Sequence, residues 1–295
     1  MRYKPFTFLS STKGLQGCIS ASGGQEITIG EFRYHIFTGS LNTFTTESFV
    51  VHSNLCSDQI TVLAVARGGS GGNLTGSGAG GGVETSSFAP TTGSYTMATF
   101  VSGTFGSGDS IAFSGSGFQV IAVRGGNGAT NTVTSSNGGG GNSVNISGSL
   151  NSYGYSGSNF NAGGNFELGA GAGVGGNGIV RPGDSSIGGI GIFIPEFAPL
   201  DGQFTSGSNS IYYGGYPAGF YGGGGGGRNT PQLGESQEGG GGRNHFPAPF
   251  GNFDVARATN GVAFTGGGGM GGTPFIGSTG TGAGGRGAIY IRYLA

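Results

Sequence analysis

The chain opens with short runs of β-branched and aromatic residues broken by Gly, Asn and Ser. Glu26-Ile-Thr-Ile29, Phe32-Arg-Tyr-His-Ile-Phe37-Thr and Phe44-Thr-Thr-Glu-Ser-Phe49-Val-Val51 read as short strands. Ile60-Thr-Val-Leu-Ala-Val65 is almost wholly apolar and predicts a buried strand. It passes through Ala66 and Arg67 into Gly68-Gly-Ser-Gly-Gly72. Phe118-Gln-Val-Ile-Ala-Val123 repeats the plan and enters Arg124-Gly-Gly-Asn-Gly128. One unit is used twice: a core strand whose C-terminal end launches a glycine excursion. Tyr95-Thr-Met-Ala-Thr-Phe100-Val and Asp109-Ser-Ile-Ala-Phe113 lie between them and are strand-like. The alternation in Gly287-Ala-Ile-Tyr-Ile-Arg-Tyr-Leu294 predicts a final strand. No window shows a convincing 3.6-residue apolar period, so almost no helix is expected.

Between about Asn127 and Gly287 the pattern dissolves into glycine. Runs occupy Gly138–Gly141, Gly222–Gly227, Gly239–Gly242 and Gly266–Gly269, and 73 of the 295 residues are Gly. Ordering glycine costs more backbone entropy than ordering any other residue. A folded stretch this rich in it must use positive φ, close backbone approach, or both. Runs of four to six are too long for a turn and, as strands, have no side chains to pack. The regular option left is the polyproline-II helix, about three residues per turn, packed side by side with its backbone groups bonded to neighbouring helices. Long surface loops are the other reading, and such loops are uncommon in compact domains. Collagen is excluded, because Pro is only 10 and the glycines come in runs. Charge-driven disorder is disfavoured by the 22 Phe. A net charge of −1 gives no electrostatic footprint for nucleic acid or an anionic membrane.

Sites of reaction chemistry are sparse. Gly171-Ala-Gly-Val-Gly-Gly176 matches G-x-G-x-x-G, but at this glycine content about five chance matches are expected. Neither Lys4 nor Lys13 follows a glycine, which excludes a Walker A loop. His35, His52 and His245 are well separated, and no Cys/His pair has metal-ligand spacing. No metal, no cofactor and no catalytic residue is expected. Two cysteines, Cys18 and Cys56, make no disulfide framework, and nothing else points to an oxidising compartment, so free thiols are expected over a bridge. Residues 1–20 hold no apolar stretch of signal-peptide length, and Ile190-Gly-Ile-Phe-Ile194 is too short to span a membrane. The expectation is synthesis in a cytoplasm.

Aromatic residues stand out within the glycine. Tyr153, Tyr155 and Phe160 form one group; Tyr212, Tyr213, Tyr216, Phe220 and Tyr221 a second; Phe246, Phe250 and Phe253 a third. Tyr among Gly, Ser and Asn is the composition of binding loops. The alternative is that these rings seal the bundle or a subunit interface. Arg228 and Arg243, each closing a Gly-Gly-Gly-Gly-Arg-Asn run, are expected to cap carbonyls.

Phe37-Thr-Gly-Ser-Leu-Asn-Thr-Phe44-Thr, then Ile60–Val65 and a glycine run, resembles the opening of glycine-rich domains in bacteriophage tail-fibre and virion proteins. Gly93-Ser-Tyr-Thr-Met97 resembles the next strand of those domains, and Gly284-Gly-Arg-Gly-Ala-Ile-Tyr-Ile-Arg-Tyr293 the last. The likeness covers roughly residues 32–295; Arg67 and Arg124 depart from it by interrupting the glycine that follows the core strands. It implies an all-β, jelly-roll or tumour-necrosis-factor-like sandwich with glycine helices inserted between strands. A similar pairing is implied for the glycine-rich ectodomains of some receptor kinases. The expected organisation is an attachment segment at 1–30, sandwich strands at 31–126, and a glycine-rich bundle at 127–295 closed by strand 287–294. The expected function is a non-enzymatic virion protein of a tail or fibre. It would associate with other virion proteins as a homo-oligomer, with a trimer favoured, and its aromatic loops would contact a host-surface glycan or outer-membrane protein. A purely structural connector, collar or decoration protein is the alternative; a cellular surface protein would carry an export signal.

Overall fold

The computed structural model describes residues 17–38, 45–72, 77–99, 110–128, 142–144, 150–152, 171, 173–176, 178–180, 186–201, 205–206, 209–210, 218–226, 261–269 and 282–295. Most of these lie in strands or glycine threads. In chain order the larger strands are β1 (Ile19–Ser22), β2 (Gln25–Ile29), β3 (Phe32–Phe37), β4 (Thr45–Asn54), β5 (Ile60–Val65), β6 (Val83–Phe88), β7 (Gly93–Thr99), β8 (Ile111–Gly115) and β9 (Phe118–Ala122). Then come β10 (Asn142–Val144), β11 (Leu150–Ser152) and three two-residue pairs: β12 (Ile179–Val180) with β13 (Ser186–Ile187), β14 (Ile192–Phe193) with β17 (Phe220–Tyr221), and β15 (Thr205–Ser206) with β16 (Asn209–Ser210). β18 (Ala288–Leu294) closes the chain, and a 3-10 turn, Pro195–Leu200, is the one helical element among the described residues.

Two antiparallel sheets result, in the orders β1-β4-β7-β8-β9-β10-β11 and β2-β3-β18-β5-β6. The fold is all-β. Between the sheets lie Phe49, Val51, Tyr95, Met97, Phe113 and Val120 from the first, and Ile60, Val62, Ala64, Ile289 and Ile291 from the second. The five-stranded sheet is also covered on its other face. Tyr34, Ile36, Leu63, Val65, Ala288 and Tyr290 pack there against Val174, Ile194, Phe197, Leu200, Tyr221 and Phe264. This is why β5 is a continuous apolar run: strands buried on both faces lose their alternation. The same holds for Ala288–Ile291 of β18, which sits between β3 and β5. The strand expected to close the glycine region is therefore the middle of the sandwich's own sheet.

The glycine stretches are packed threads. N–H groups of Ala66 and Gly69 donate to Gly82 and Ala79, whereas those of Gly68 and Gly71 donate to Gly285 and Gly282. Likewise Gly78 and Gly81 reach Gly269 and Gly266, while Ala79 and Gly82 reach Gly126 and Val123. Donors three residues apart meet the same neighbour, and adjacent donors meet different ones. That is the three-residue turn of a polyproline-II-type helix, here with its N–H groups satisfied by other threads. Threads 77–82, 222–226 and 264–269 are mutually bonded, Gly81 to Gly266, Gly225 to Gly78 and Gly268 to Gly223, and every residue in them is buried. Threads 66–72, 123–128, 282–287, 171–176 and 187–191 surround this triangle. Gly222 (φ +73°) and Gly266 (φ +69°) take left-handed conformations where the chain turns from the core into its thread.

Residues 17–29 belong to the two sheets, since β1 pairs with β4 and β2 with β3. One expectation is corrected. Cys18 and Cys56 form a disulfide, with Cα atoms 5.6 Å apart. β1 and the β4–β5 loop were not legible as neighbours because β1 reads Ile-Ser-Ala-Ser, too polar to announce a strand.

Candidate functional site

The bundle has two ends, and the direction of each thread shows what lies at them. Threads 66–72 and 123–128 leave β5 and β9 in parallel, Gly125 N–H donating to the Arg67 carbonyl and Gly128 N–H to that of Ser70. Threads 77–82 and 282–287 return antiparallel to them, into β6 and β18. Thread 222–226 also runs outward, since Gly222 lies beside Gly81 while Gly225 donates to Gly78. The outer ends of the threads, Gly128, Gly171, Gly226, Gly269 and Gly282, therefore share the side away from the sheets. The described threads end there at Gly128, Gly226 and Gly269, and others begin there at Gly171, Gly261 and Gly282. At the opposite pole Gly17 N–H donates to the Ala295 carbonyl, 2.7 Å, beside the β2–β3 hairpin.

Most aromatic candidates, Tyr153, Tyr155, Phe160, Tyr212, Tyr213, Tyr216, Phe246, Phe250 and Phe253, lie outside the described residues, as do Gly138, Gly141, Gly227, Gly239, Gly242, Arg228 and Arg243. Their connectivity separates them nonetheless. The first group follows β11 of the seven-stranded sheet and precedes Gly171; the third lies between Gly226 and Gly261, at the outer end. Tyr212, Tyr213 and Tyr216 of the second group lie between β16 and Ala218, which precedes thread 222–226 at its sheet end. Of its described members, Tyr221 cannot be a contact residue. It is fully buried, 5.9 Å from the Tyr290 ring, and burial pushes its hydroxyl pKa well above 10. Its apolar neighbours are Val174, Phe197 and Phe264 on the second core. Gly222, Gly266 and Gly269, expected as structural, are buried within the central triangle.

Phe220 is half-buried and pairs across β14–β17 with Phe193, their ring centroids 4.9 Å apart. Phe193 is 51% exposed, one of two exposed large apolar side chains among the described residues. Gly219 (φ +86°) allows this, because a Cβ there would strike the Phe193 ring. Glu196, in the first turn, and Asp201, at the C-terminal cap, are exposed on the 3-10 turn that follows Phe193 in the chain. Phe193 was legible only as part of the apolar run Ile190–Ile194, with no signal that one ring would face solvent.

Other polar pairs have structural settings. His35 is buried, its Nδ1 2.7 Å from the Gly23 carbonyl and its Nε2 2.8 Å from the Tyr293 hydroxyl. With Nδ1–H donating to the carbonyl, Nε2 accepts from Tyr293, so the ring is neutral and burial lowers its pKa below 6.5. Burial also raises the Tyr293 hydroxyl to about 12. Ser22 Oγ and His52 Nε2 lie 2.9 Å apart on the solvent side of β1 and β4, where nothing excludes water. Cys18, Cys56 and Asp58 come within 4.8 Å of one another. The sulfurs are bonded to each other and offer a metal no thiolate; the Asp58 carboxylate accepts from Cys18 N–H at 3.2 Å.

A family model described as a glycine-rich domain matches residues 43–294. The chain belongs to this glycine-rich domain family. No curated protein and no solved structure matches it. The match begins just before β4 and ends on the last residue of β18, so the glycine-rich domain takes in most of both sheets together with every thread.

Proposed function

We propose that this glycine-rich domain is a non-enzymatic virion protein of a bacteriophage tail or fibre, a stiff scaffold that holds aromatic-bearing segments against a host surface. The observation that carries the reading is polarity: the segment with Phe246, Phe250 and Phe253 joins Gly226 to Gly261 at the outer end of a hydrogen-bonded bundle, while the segment with Tyr153, Tyr155 and Phe160 runs from β11 of the seven-stranded sheet to Gly171. The Gly17–Ala295 corner lies at the other pole, the side on which other virion proteins would attach. A rigid base spares a loop part of the ordering cost of binding. Repetition in a homo-oligomer, with a trimer favoured, would turn weak contacts to a glycan or outer-membrane protein into firm adhesion. Virions carrying Phe246→Ser, Phe250→Ser and Phe253→Ser together are expected to assemble normally and lose host adsorption. Normal adsorption by these virions would remove the attachment role and leave a structural connector, collar or decoration protein.

A further inference from the structure

Cys18 and Cys56 are bonded to each other, and the Asp58 carboxylate stands beside them: one ligand atom from each of the three residues lies within 4.8 Å of the other two. More than the sulfur–sulfur bond holds this cluster together. Asn54, at the end of β4, grips the turn that follows it. Its Oδ1 accepts from Asp58 N–H at 2.9 Å, and its Nδ2 donates to the carbonyls of Asp58 and Pro90, both at 3.0 Å. Leu55 N–H donates to the Cys18 carbonyl at 3.4 Å, and Cys18 N–H to the Asp58 carboxylate at 3.2 Å. β1 is fixed in turn by its ladder with β4, where Ile19 lies opposite Asn54. Between Cys56 and Asp58, Ser57 takes φ +56°, a left-handed conformation uncommon outside glycine. Backbone of this kind persists where its surroundings enforce it, and it clusters at functional sites. Here it lets residues two apart in the chain meet the same neighbour, Cys18. Cys56 is exposed and the other two are half-buried, so solvent reaches the cluster.

We propose that Cys18, Cys56 and Asp58 form a redox-gated zinc site, closed while the sulfurs are bonded to each other and open to the ion once a dithiol reduces them. The reductant's thiolate attacks one sulfur, the Cys18–Cys56 bond breaks, and the reductant closes its own disulfide. Two electrons and two protons pass to the cysteines, which become thiols. Zinc then displaces those two protons and binds both thiolates and the carboxylate, with water in the fourth position. Two thiolates on one zinc stand roughly 3.8 Å apart, a separation within reach of side chains whose Cα atoms are 5.6 Å apart. The donor set selects the ion: thiolates favour zinc, whereas magnesium and calcium need oxygen ligands throughout. Asn54 and the β1–β4 ladder keep the three donors in place after reduction, so little ordering is left for the metal to do. The site lies at the β1 edge of the seven-stranded sheet and is independent of the attachment reading.

The test is a titration of the full chain, reduced with a dithiol and freed of it under nitrogen, with Co2+ and then Zn2+. One cobalt per chain is expected, with sulfur-to-cobalt charge-transfer absorption and the d–d bands of a tetrahedral ion. Zn2+ should displace it and Mg2+ should not. The oxidised chain should show no such absorption, and zinc should raise the Tm of the reduced chain alone. Cys18→Ser and Cys56→Ser should each lose most of the charge-transfer band. Asp58→Asn keeps the backbone groups that Asn54 holds and should weaken cobalt by at least about tenfold, since even indirect supports of a metal site cost that much. His52→Gln, on the neighbouring solvent face, should leave the affinity unchanged. A reduced chain without the charge-transfer band overturns the proposal, as does the same band in the oxidised chain or full affinity in Asp58→Asn. Loss of the strands on reduction, read by circular dichroism, overturns it too, because the three donors then no longer meet. If a serine variant does not fold, the comparison of reduced and oxidised chains decides.

Discussion

A Cβ built on Gly80 would stand closer than 3.0 Å to the Gly222 carbonyl, and one on Gly284 equally close to that of Gly68. Neither obstacle is a side chain that can swing away, because both are backbone of a neighbouring thread. Gly80→Ala and Gly284→Ala are each expected to lower stability by about 1–3 kcal/mol or more, the cost of overpacking. Ala283→Ser, one residue before Gly284 and facing outward, should stay within about 0.5 kcal/mol; urea unfolding of the three proteins checks the contrast. The Cys18–Cys56 bridge closes a separation of 38 residues, and in the chain-entropy treatment its loss should cost about 4 kcal/mol. Melting with and without reductant measures it. His35 has the opposite sign from a salt-bridged histidine. Its folded pKa lies below the 6.5 of the open chain, so as pH falls the unfolded state takes up the proton first. Stability is whole above about pH 6.5 and declines below it until folded His35 protonates. The urea midpoint should fall between about pH 7 and pH 5, and His35→Gln should flatten that dependence.

At the scale of elements, what could be read from sequence followed the side chains. Phe32–Phe37, Ile60–Val65, Phe118–Ala122 and Ala288–Leu294 are strands close to where β-branched and aromatic runs put them. β6, Val-Glu-Thr-Ser-Ser-Phe, gave no such signal. Val83 faces the second core while Phe88 packs against the first, so neither face shows a run of apolar residues. The second core was illegible for a related reason. Val174, Ile194, Phe197, Leu200, Tyr221 and Phe264 stand singly or in runs of a few apolar residues among glycine and proline, and only the thread lattice brings them onto one sheet face. Phe197 is fully buried there, 6.3 Å from the Tyr34 ring and 6.0 Å from that of Tyr290. Phe197→Ala is expected to cost about 3–5 kcal/mol, and limited proteolysis should then cut first near the 3-10 turn, since that ring fastens the turn to the sheet. Tyr290 makes a second fastening, its hydroxyl donating to the Phe264 carbonyl at 2.7 Å.

For the whole molecule, the five-stranded sheet is the shared wall of two structures built on different rules. On one side, side chains from two sheets interlock. On the other, the core passes into a lattice that has almost no side chains and is held by backbone hydrogen bonds. The glycine content announced that lattice, and the three-residue bond period shows its form. The order of the threads could not be read in advance, because identical glycine runs carry no label saying which neighbour each will meet. Amide hydrogen exchange read by NMR over threads 66–72, 77–82, 222–226 and 264–269 tests the account most directly. Gly69, Gly78, Gly81, Gly225 and Gly268 N–H groups should exchange as slowly as those of β5 and β18, at rates set by cooperative opening. Exchange at the rate of an open chain in these glycines, with β5 and β18 still protected, would contradict it.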